Sequence, residues 1–393
     1  MARRINADKP HLWKTDIAAS VDQFNQWFMR FAPEAFRSTR VKTTGHVKAA
    51  LLATGDLRSI DAATLKDNPS ALSTLRMCAA PPLAVDRLIG LAGASKNLVG
   101  QMEDGKLPTK MNAADLNATD HSRDSAGLRY VYPVVSRRAG GVSVGVNLNV
   151  NNACNWRCIY CQVPDLVRGS PPPLDMALLE QELRTFLHEL LHGDFMQRRV
   201  PQEARRINDI ALSGNGEPTS AAEFAQAVAL ISKIKTELAL PQVKLVLITN
   251  GSLLYRESVQ QGLRLLAQNN GEVWFKLDRA SVAGMQLVND THSNMEKVRN
   301  HLITSIALCP TWLQTCWFML DGAAPAREEE DAYLDFVADM LRAGHTPQGV
   351  LLYTLARPSL QPEAPRLGAL SEEQMQPFAA RIRALGLTVK VSI

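Results

Sequence analysis

The sequence predicts an α/β fold: a partial (β/α)6-type barrel with an additional strand, preceded by an all-helical N-terminal domain. Three observations lead there. Beyond residue 129, short apolar runs alternate with helix-period segments, which is how a parallel sheet with helices on its outside reads. Six such units and one further strand are present, short of the eight that close a full barrel. Before residue 110 there is no strand alternation, and apolar residues recur at three- and four-residue intervals.

The elements follow in order. Asp16 to Phe31 carries Ile17, Val21, Phe24, Trp27, Phe28 and Phe31, one apolar stripe of a helix that Pro33 ends. Val47 to Ala53 predicts a second helix closing near Gly55, and Pro81-Pro82 splits Leu75–Gly93 into two pieces. Met111 to Gly127 turns polar, so the chain divides into a helical domain (1–110), a linker (111–128) and the barrel (129–393). Strands are expected at Val142–Val150, Asp209–Leu212, Val243–Ile248, Val273–Leu277, Thr315–Leu320, Val350–Tyr353 and Thr388–Val391. Between them, Asp175–His192 places Leu179, Leu183, Phe186, Leu187, Leu190 and Leu191 on one helical face and stops at Gly193. Ser220 with Glu223, and Ser371 with Gln374, read as capping boxes; Gly386 ends the last helix.

Composition narrows the classes. Apolar residues make up 46% and charged residues 21% of the 393, a globular profile and not a disordered or fibrous one. No apolar run approaches the roughly 18 residues that cross a bilayer. The start, Met1-Ala-Arg-Arg-Ile-Asn-Ala-Asp-Lys-Pro10, has no apolar segment behind its basic residues, so no membrane association, no secretory signal and a cytoplasmic location are expected. Six cysteines without a regular framework fit a reducing compartment. The net charge of +4 resides in residues 1–128, which hold 17 Lys/Arg against 13 Asp/Glu. An excess of that size suits either a solvated surface or contact with nucleic acid.

The chemistry concentrates in Asn152-Ala-Cys154-Asn-Trp-Arg-Cys158-Ile-Tyr-Cys161. Three thiolates at spacings of four and three residues can hold three irons of one cube, whereas a closed [4Fe–4S] site takes four. Cys154, Cys158 and Cys161 therefore leave one metal corner open, the arrangement of a reactive site. A structural zinc site or a plain electron-transfer cluster would want a fourth ligand, and none sits at a suitable spacing. Cys309 and Cys316, with six residues between them, are too few for a second cluster and read as core, as does Cys78. His188 and His192 read as surface residues, and Arg137-Arg138 could meet a phosphate or carboxylate but more simply face water.

The C-x3-C-x2-C spacing with Tyr160 before the last cysteine resembles the signature loop of the radical S-adenosylmethionine (radical SAM) superfamily. The resemblance spans about residues 117–393. Within it, Ser136-Arg-Arg-Ala-Gly-Gly, Asn147-Leu-Asn and Cys158-Ile-Tyr-Cys161-Gln-Val-Pro are similar to a wyosine-synthase-like branch. It implies a radical SAM barrel, TIM-barrel-like, with a [4Fe-4S] cluster on Cys154, Cys158 and Cys161 and S-adenosyl-L-methionine chelating the fourth iron. It further implies reductive cleavage to a 5′-deoxyadenosyl radical, hydrogen abstraction from an unidentified substrate such as a nucleic-acid base, and a reduced electron donor such as flavodoxin or ferredoxin.

Other polar motifs fall where such folds bind ligands, beyond the C-terminal ends of strands. The second strand runs into Ser213-Gly-Asn-Gly-Glu-Pro-Thr219, the third into Thr249-Asn250-Gly251, the fourth into Lys276-Leu277-Asp278. Gly214 and Gly216 let the backbone approach a ligand, Glu217 offers charge to an amine, and a helix opening at Ser220 would aim its N–H groups at a carboxylate. Gly216, Glu217 and Pro218 match the family's glycine-glycine-glutamate element, with Asn215 where the first glycine would be. Asn250 and Asp278 resemble ribose- or adenosine-side contacts, and Tyr160 would lie beside the cluster near the adenine. No catalytic side chain is singled out.

A second resemblance covers about residues 1–113. Ile5-Asn-Ala-Asp-Lys-Pro-His-Leu-Trp-Lys14 and Leu75-Arg-Met-Cys through Gly93 are similar to the N-terminal region of XamI-type restriction endonucleases, though no strand ending in Glu-x-Lys is present. It implies a DNA-associated module without cleavage activity; a plain helical extension is the alternative. The chain as a whole reads as a radical SAM enzyme or as a DNA-associated binding protein with a structural or redox-sensing cluster.

Overall fold

A computed structural model describes residues 127–136 and 140–393. The expected helical domain, the linker up to residue 126, Cys78 and Arg137-Arg138 lie outside them.

The barrel region begins with an antiparallel pair, β1 (Val131–Ser136) and β2 (Gly141–Val146). A long loop follows, carrying the two-residue strands β3 (Ala153–Cys154) and β4 (Val167–Arg168). Helices α1 (Met176–His192) and α2 (Phe195–Arg199) lead to β5 (Ile207–Leu212), then α3 (Phe224–Glu237) to β6 (Lys244–Thr249). Next come α4 (Glu257–Gln268), β7 (Gly271–Lys276), α5 (Val282–Asn289) and α6 (Met295–Leu308). The chain closes with β8 (Thr311–Cys316), β9 (Phe318–Leu320), α7 (Arg327–Arg342), β10 (Gly349–Tyr353), β11 (Leu367–Ala369), α8 (Glu372–Ala384) and β12 (Val389–Ser392).

The main sheet has the order β1-β2-β5-β6-β7-β8-β10-β12. From β2 to β12 every pairing is parallel, so the seven expected strands are the seven that form the half-barrel. β1 was not expected. It sits on the sheet edge, where Pro133, which has no N–H to give, is tolerated.

β5, β7 and β8 start two to four residues earlier than expected, and three further departures have identifiable causes. β2 stops at Val146 and not Val150, because Asn147 Oδ1 accepts from the Asn149 and Asn215 N–H groups and bends the chain into the loop. The run expected as Thr315–Leu320 takes in only the last two residues of β8, which starts at Thr311, and the whole of β9. β8 ends at Cys316, Trp317 stacks on Phe378 with ring centres 4.3 Å apart, and β9 leaves the sheet to pair with β11. The helix after β5 starts at Phe224, not behind Ser220, and Ser220 is no cap. Its hydroxyl donates to Glu217 O (2.6 Å) and accepts from Asn149 Nδ2 (3.2 Å) within a 3-10 turn, Pro218–Ser220. The Ser371–Gln374 capping box and the stop of α1 before Gly193 are as expected. Leu191, expected on the buried face of α1, is exposed, as are His188 and His192.

The two faces of the strands explain why a cavity forms. Val142, Val144, Val146, Ile210 and Leu212 are fully buried. The alternate positions Ser143, Gly145, Asp209, Ala211 and Ser213 are small or polar and line an inner cavity. Full barrels fill that space with branched residues. Here the side chains are too small to do so, and about 880 Å³ remains open. Among the described residues no helix is long and apolar enough to cross a membrane.

Candidate functional site

The cysteine loop is clamped from two sides. From α5, Asn289 O and Val288 O accept from Arg157 N (3.2 Å) and Ile159 N (2.9 Å). From the segment after β10, Ser359 Oγ donates to Ile159 O (2.8 Å) and Gln361 Nε2 to Val163 O (2.9 Å). Arg157 joins the two sides, forking onto both Glu363 oxygens (3.0 and 2.7 Å) and reaching Asp290 Oδ2 (3.1 Å), which also pairs with Arg168. Cys154, Cys158 and Cys161 all open onto the cavity. Cys158 is the most enclosed, 8% exposed, and burial pushes its thiol up to about 12. A positive metal centre reverses that preference, because a coordinated thiol is deprotonated. Among the described residues no three His, Cys, Asp or Glu side chains group closely enough to hold a metal ion.

Gly214 and Gly216 pack on this loop. A Cβ on Gly214 would overlap the Asn147 amide, and one on Gly216 would overlap the Ala153 carbonyl and the Asn149 side chain. The backbone of residues 214–216 is thereby pressed against the residue before Cys154. Asn215 donates from its N–H to Asn147 Oδ1 (3.0 Å) and from Nδ2 to Asn152 Oδ1 (2.6 Å), while its own Oδ1 is buried and meets no partner among the described residues. Glu217 is 3% exposed, and four neutral donors hold its carboxylate. Oε1 accepts from Thr219 N (3.1 Å), Thr219 Oγ1 (2.6 Å) and Thr249 Oγ1 (2.6 Å); Oε2 accepts from Asn250 N (2.7 Å). It thus ties the 3-10 turn after β5 to the end of β6. Asn250 extends the tie to the cysteine loop, donating from Nδ2 to Asn155 Oδ1 (2.8 Å).

Tyr160, Gly214, Gly216, Glu217 and Asn250 line the cavity with the three cysteines; Pro218 and Asp278 do not. Pro218 opens the 3-10 turn. Asp278 stands behind the wall, 2% exposed, accepting from Tyr160 OH (2.6 Å), Asn289 Nδ2 (2.7 Å) and Cys316 N (2.8 Å). Cys309 and Cys316 are buried, as expected; Cys316 touches the cavity and Cys309 does not.

Several residues of the site were not foreseen. The asparagines at 147, 149, 152 and 155 shape the loop, and their density between β2 and Cys158 was the available signal. Lys276 was read only as part of a strand end. It lines the cavity with Nζ 5.9 Å from the Tyr160 ring centre and makes no hydrogen bond to a described residue. Burial opposes its charge, yet Cys158, Asp278 and the other two cysteines raise its pKa above the ordinary lysine value. Gln314 Oε1 is buried beside the cavity without a partner, on the strand position paired with Lys276. Asn289 lies too far along the chain from the cysteines for any motif to include it.

Comparison with known proteins returns both resemblances. The XamI restriction endonuclease family model matches residues 55–126. The type II restriction enzyme SalI of Streptomyces albus G is 51% identical over 107 residues, 27% of this chain and 34% of SalI. The chain thus spans about a third of that relative's length. A UPF0026 protein of Helicobacter pylori strain J99 is 27% identical over 245 residues, 62% of this chain and 70% of that protein. Among solved structures, TYW1 with a lysine-pyruvate adduct bound is similar at a TM-score of 0.43 and 15% identity, over 63% of this chain and 74% of the other. A radical SAM methyltransferase from Sphaerobacter thermophilus is similar at 0.42 and 14%, over 64% and 66%.

Proposed function

We propose that residues 129–393 form a radical SAM enzyme. The single observation that carries this is the convergence of three thiols, the Gly214–Gly216 turn, Glu217 and Tyr160 on the walls of one cavity beyond the C-terminal ends of the strands. The donor set fits a [4Fe–4S] cluster with one corner left for a cofactor. When bound, that cluster and S-adenosylmethionine supply one-electron cleavage to a 5′-deoxyadenosyl radical, which takes hydrogen from a substrate.

The chain's own residues bind and orient. Cys154, Cys158 and Cys161 would ligate the cluster, and the clamp through Arg157 keeps their loop in place. Glu217, its charge met only by neutral donors, attracts the cofactor's ammonium group. Lys276, a cation without a hydrogen bond on the same cavity wall, suits its carboxylate. Deeper in, Asp209, Trp274 and the unpartnered Gln314 oxygen form a polar and aromatic floor where a substrate would be excluded from bulk water.

The test is anaerobic reconstitution with iron and sulfide, followed by reduction in the presence of S-adenosylmethionine. The wild type should accumulate 5′-deoxyadenosine and Cys158→Ala should fall to background. Equal product from the variant would end the assignment. A reduced flavodoxin or ferredoxin is the expected donor.

A second reading concerns the N-terminal third, where 51% identity to SalI is specific enough to argue a DNA partner. With about a third of SalI's length matched, we propose DNA association without cleavage. Affinity of the full chain for duplex DNA should fall steeply with salt; salt-independent or absent binding would remove this reading.

A further inference from the structure

The structure assigns Asn289 a role in setting the reduction potential of the cluster, through a hydrogen bond to one of its ligands. This rests on the radical SAM reading and deepens it. Asn289 is the last residue of α5, and its side chain is 1% exposed. Its Nδ2 lies 3.3 Å from Cys158 Sγ and 2.7 Å from Asp278 Oδ2. Both protons of one amide nitrogen are therefore directed at two acceptors.

The alternative orientation of the amide is excluded by chemistry. Turned over, Asn289 would aim its oxygen at a carboxylate and a ligand sulfur, neither of which can donate once the sulfur is bound to iron. The orientation that serves both acceptors leaves Asn289 Oδ1 buried with no partner among the described residues. Leaving a buried acceptor unmet costs stability, because the group loses its water and gains nothing in return. The amide is thus placed by what its nitrogen reaches, Cys158 Sγ and Asp278 Oδ2.

The surroundings hold that nitrogen rigidly. The backbone of α5 is fixed to the cysteine loop, since Asn289 O accepts from Arg157 N and Val288 O from Ile159 N. Asp290 caps the helix in the left-handed region (φ 48°) and is paired with Arg157 and Arg168. Asp278 is fixed by Cys316 N and Tyr160 OH. Asn289 thus spans a rigid carboxylate and the most enclosed of the three cysteines. Cys154 and Cys161 receive no side-chain amide N–H among the described residues.

A proton donated to a ligand sulfur withdraws electron density from the cluster. Adding one electron from the donor raises the cluster's negative charge without making or breaking a bond, and the hydrogen bond strengthens as it does. The reduced form is favoured and the potential rises. Asn289 is a positioning residue: it touches a ligand, not the cofactor or substrate.

The experiment is an anaerobic redox titration of the reconstituted full chain, read by electron paramagnetic resonance of the reduced cluster, for wild type, Asn289→Ala and Asn289→Asp. Iron and sulfide content is measured alongside. At a fixed potential the ratio of reduced to oxidised cluster should fall about tenfold in Asn289→Ala, equivalent to about 59 mV for one electron. In Asn289→Asp, whose carboxyl shares a proton with Asp278 and no longer sets an N–H on the sulfur, it should fall as well. A ratio within twofold of wild type in both, with clusters fully loaded, overturns the inference while leaving the enzyme reading intact. A wild type that holds no cluster overturns the enzyme reading itself. Should the variants fail to load, pulsed resonance on wild-type protein carrying side-chain 15N-asparagine decides: a nitrogen coupling at the cluster supports the bond, and its absence overturns it.

Discussion

Glu217 and Asp278 are both buried carboxylates at the same rim, 3% and 2% exposed, yet their donors differ in kind. Two of the four donors to Glu217 are backbone N–H groups and two are threonine hydroxyls from the 3-10 turn after β5 and the end of β6. Asp278 takes one backbone N–H; its other two donors are side chains, Tyr160 and Asn289, that reach the cavity wall and a cysteine. The first carboxylate shapes main chain and the second aims side chains. Removing the first should therefore cost stability before chemistry, and removing the second chemistry before stability.

The largest expected effect follows from Glu217→Ala. Hydroxyls of Thr219 and Thr249 can turn to other acceptors, but the N–H groups of Thr219 and Asn250 cannot. Two buried donors left unmet should cost about 2–5 kcal/mol. Urea unfolding of the two proteins would measure it. A loss below about 1 kcal/mol would mean that the turn is held by something other than this carboxylate.

Asp278→Asn sharpens the contrast. The shape is unchanged, Oδ1 still accepts from Cys316 N, and the Tyr160 hydroxyl can reverse to donate elsewhere or accept. Only the Asn289 link meets a donor with a donor. Stability should change by about 1 kcal/mol or less, whereas iron retention or 5′-deoxyadenosine formation should fall about 10–100-fold, as when partners behind a ligand are lost. Urea midpoints and product assays on the same preparations separate the two. The opposite ranking of losses would erase the distinction between the carboxylates.

How much of this was legible in the sequence depends on the range of the interaction concerned. The seven parallel strands were located, with shifted ends, because most of them set apolar residues on the face turned to the helices. The cysteine loop and Gly216-Glu217-Pro218 were, because their chemistry depends on short spacings. The cap at Ser220 was misread because its hydroxyl is taken by Asn149, 71 residues earlier, and no local rule contains that competition. β8 and β9 were merged because the stacking of Trp317 on Phe378, which separates them, is tertiary. Asn289 could not be found at all, since its partner Cys158 is 131 residues away. Glu217 and Asp278 both looked like ligand contacts, and only their donors distinguish them.

The smallest effect concerns the half-buried clamp around Arg157, and its pH dependence has a definite sign. The hydrogen bond from Arg157 holds the Glu363 carboxyl below its ordinary range. Burial pushes Asp290 up, but hydrogen bonds from Arg168 and Arg157 outweigh it and hold Asp290 low as well. A depressed folded pKa means that the unfolded chain takes up protons first. The stabilisation is therefore complete above the ordinary values of 4.5 and 3.8 and is lost as pH falls through the lower folded ones. Asp290 is 41% and Arg157 31% exposed at the side chain, so solvent screening limits the whole clamp to about 0.5–1 kcal/mol. Glu363→Gln should be less stable than wild type by about that amount at pH 7, measured in urea, and the gap should close as the pH drops toward 3. A gap of the same size at both pH values would show that the neutral geometry of residue 363, and not its charge against Arg157, secures the cysteine loop from that side.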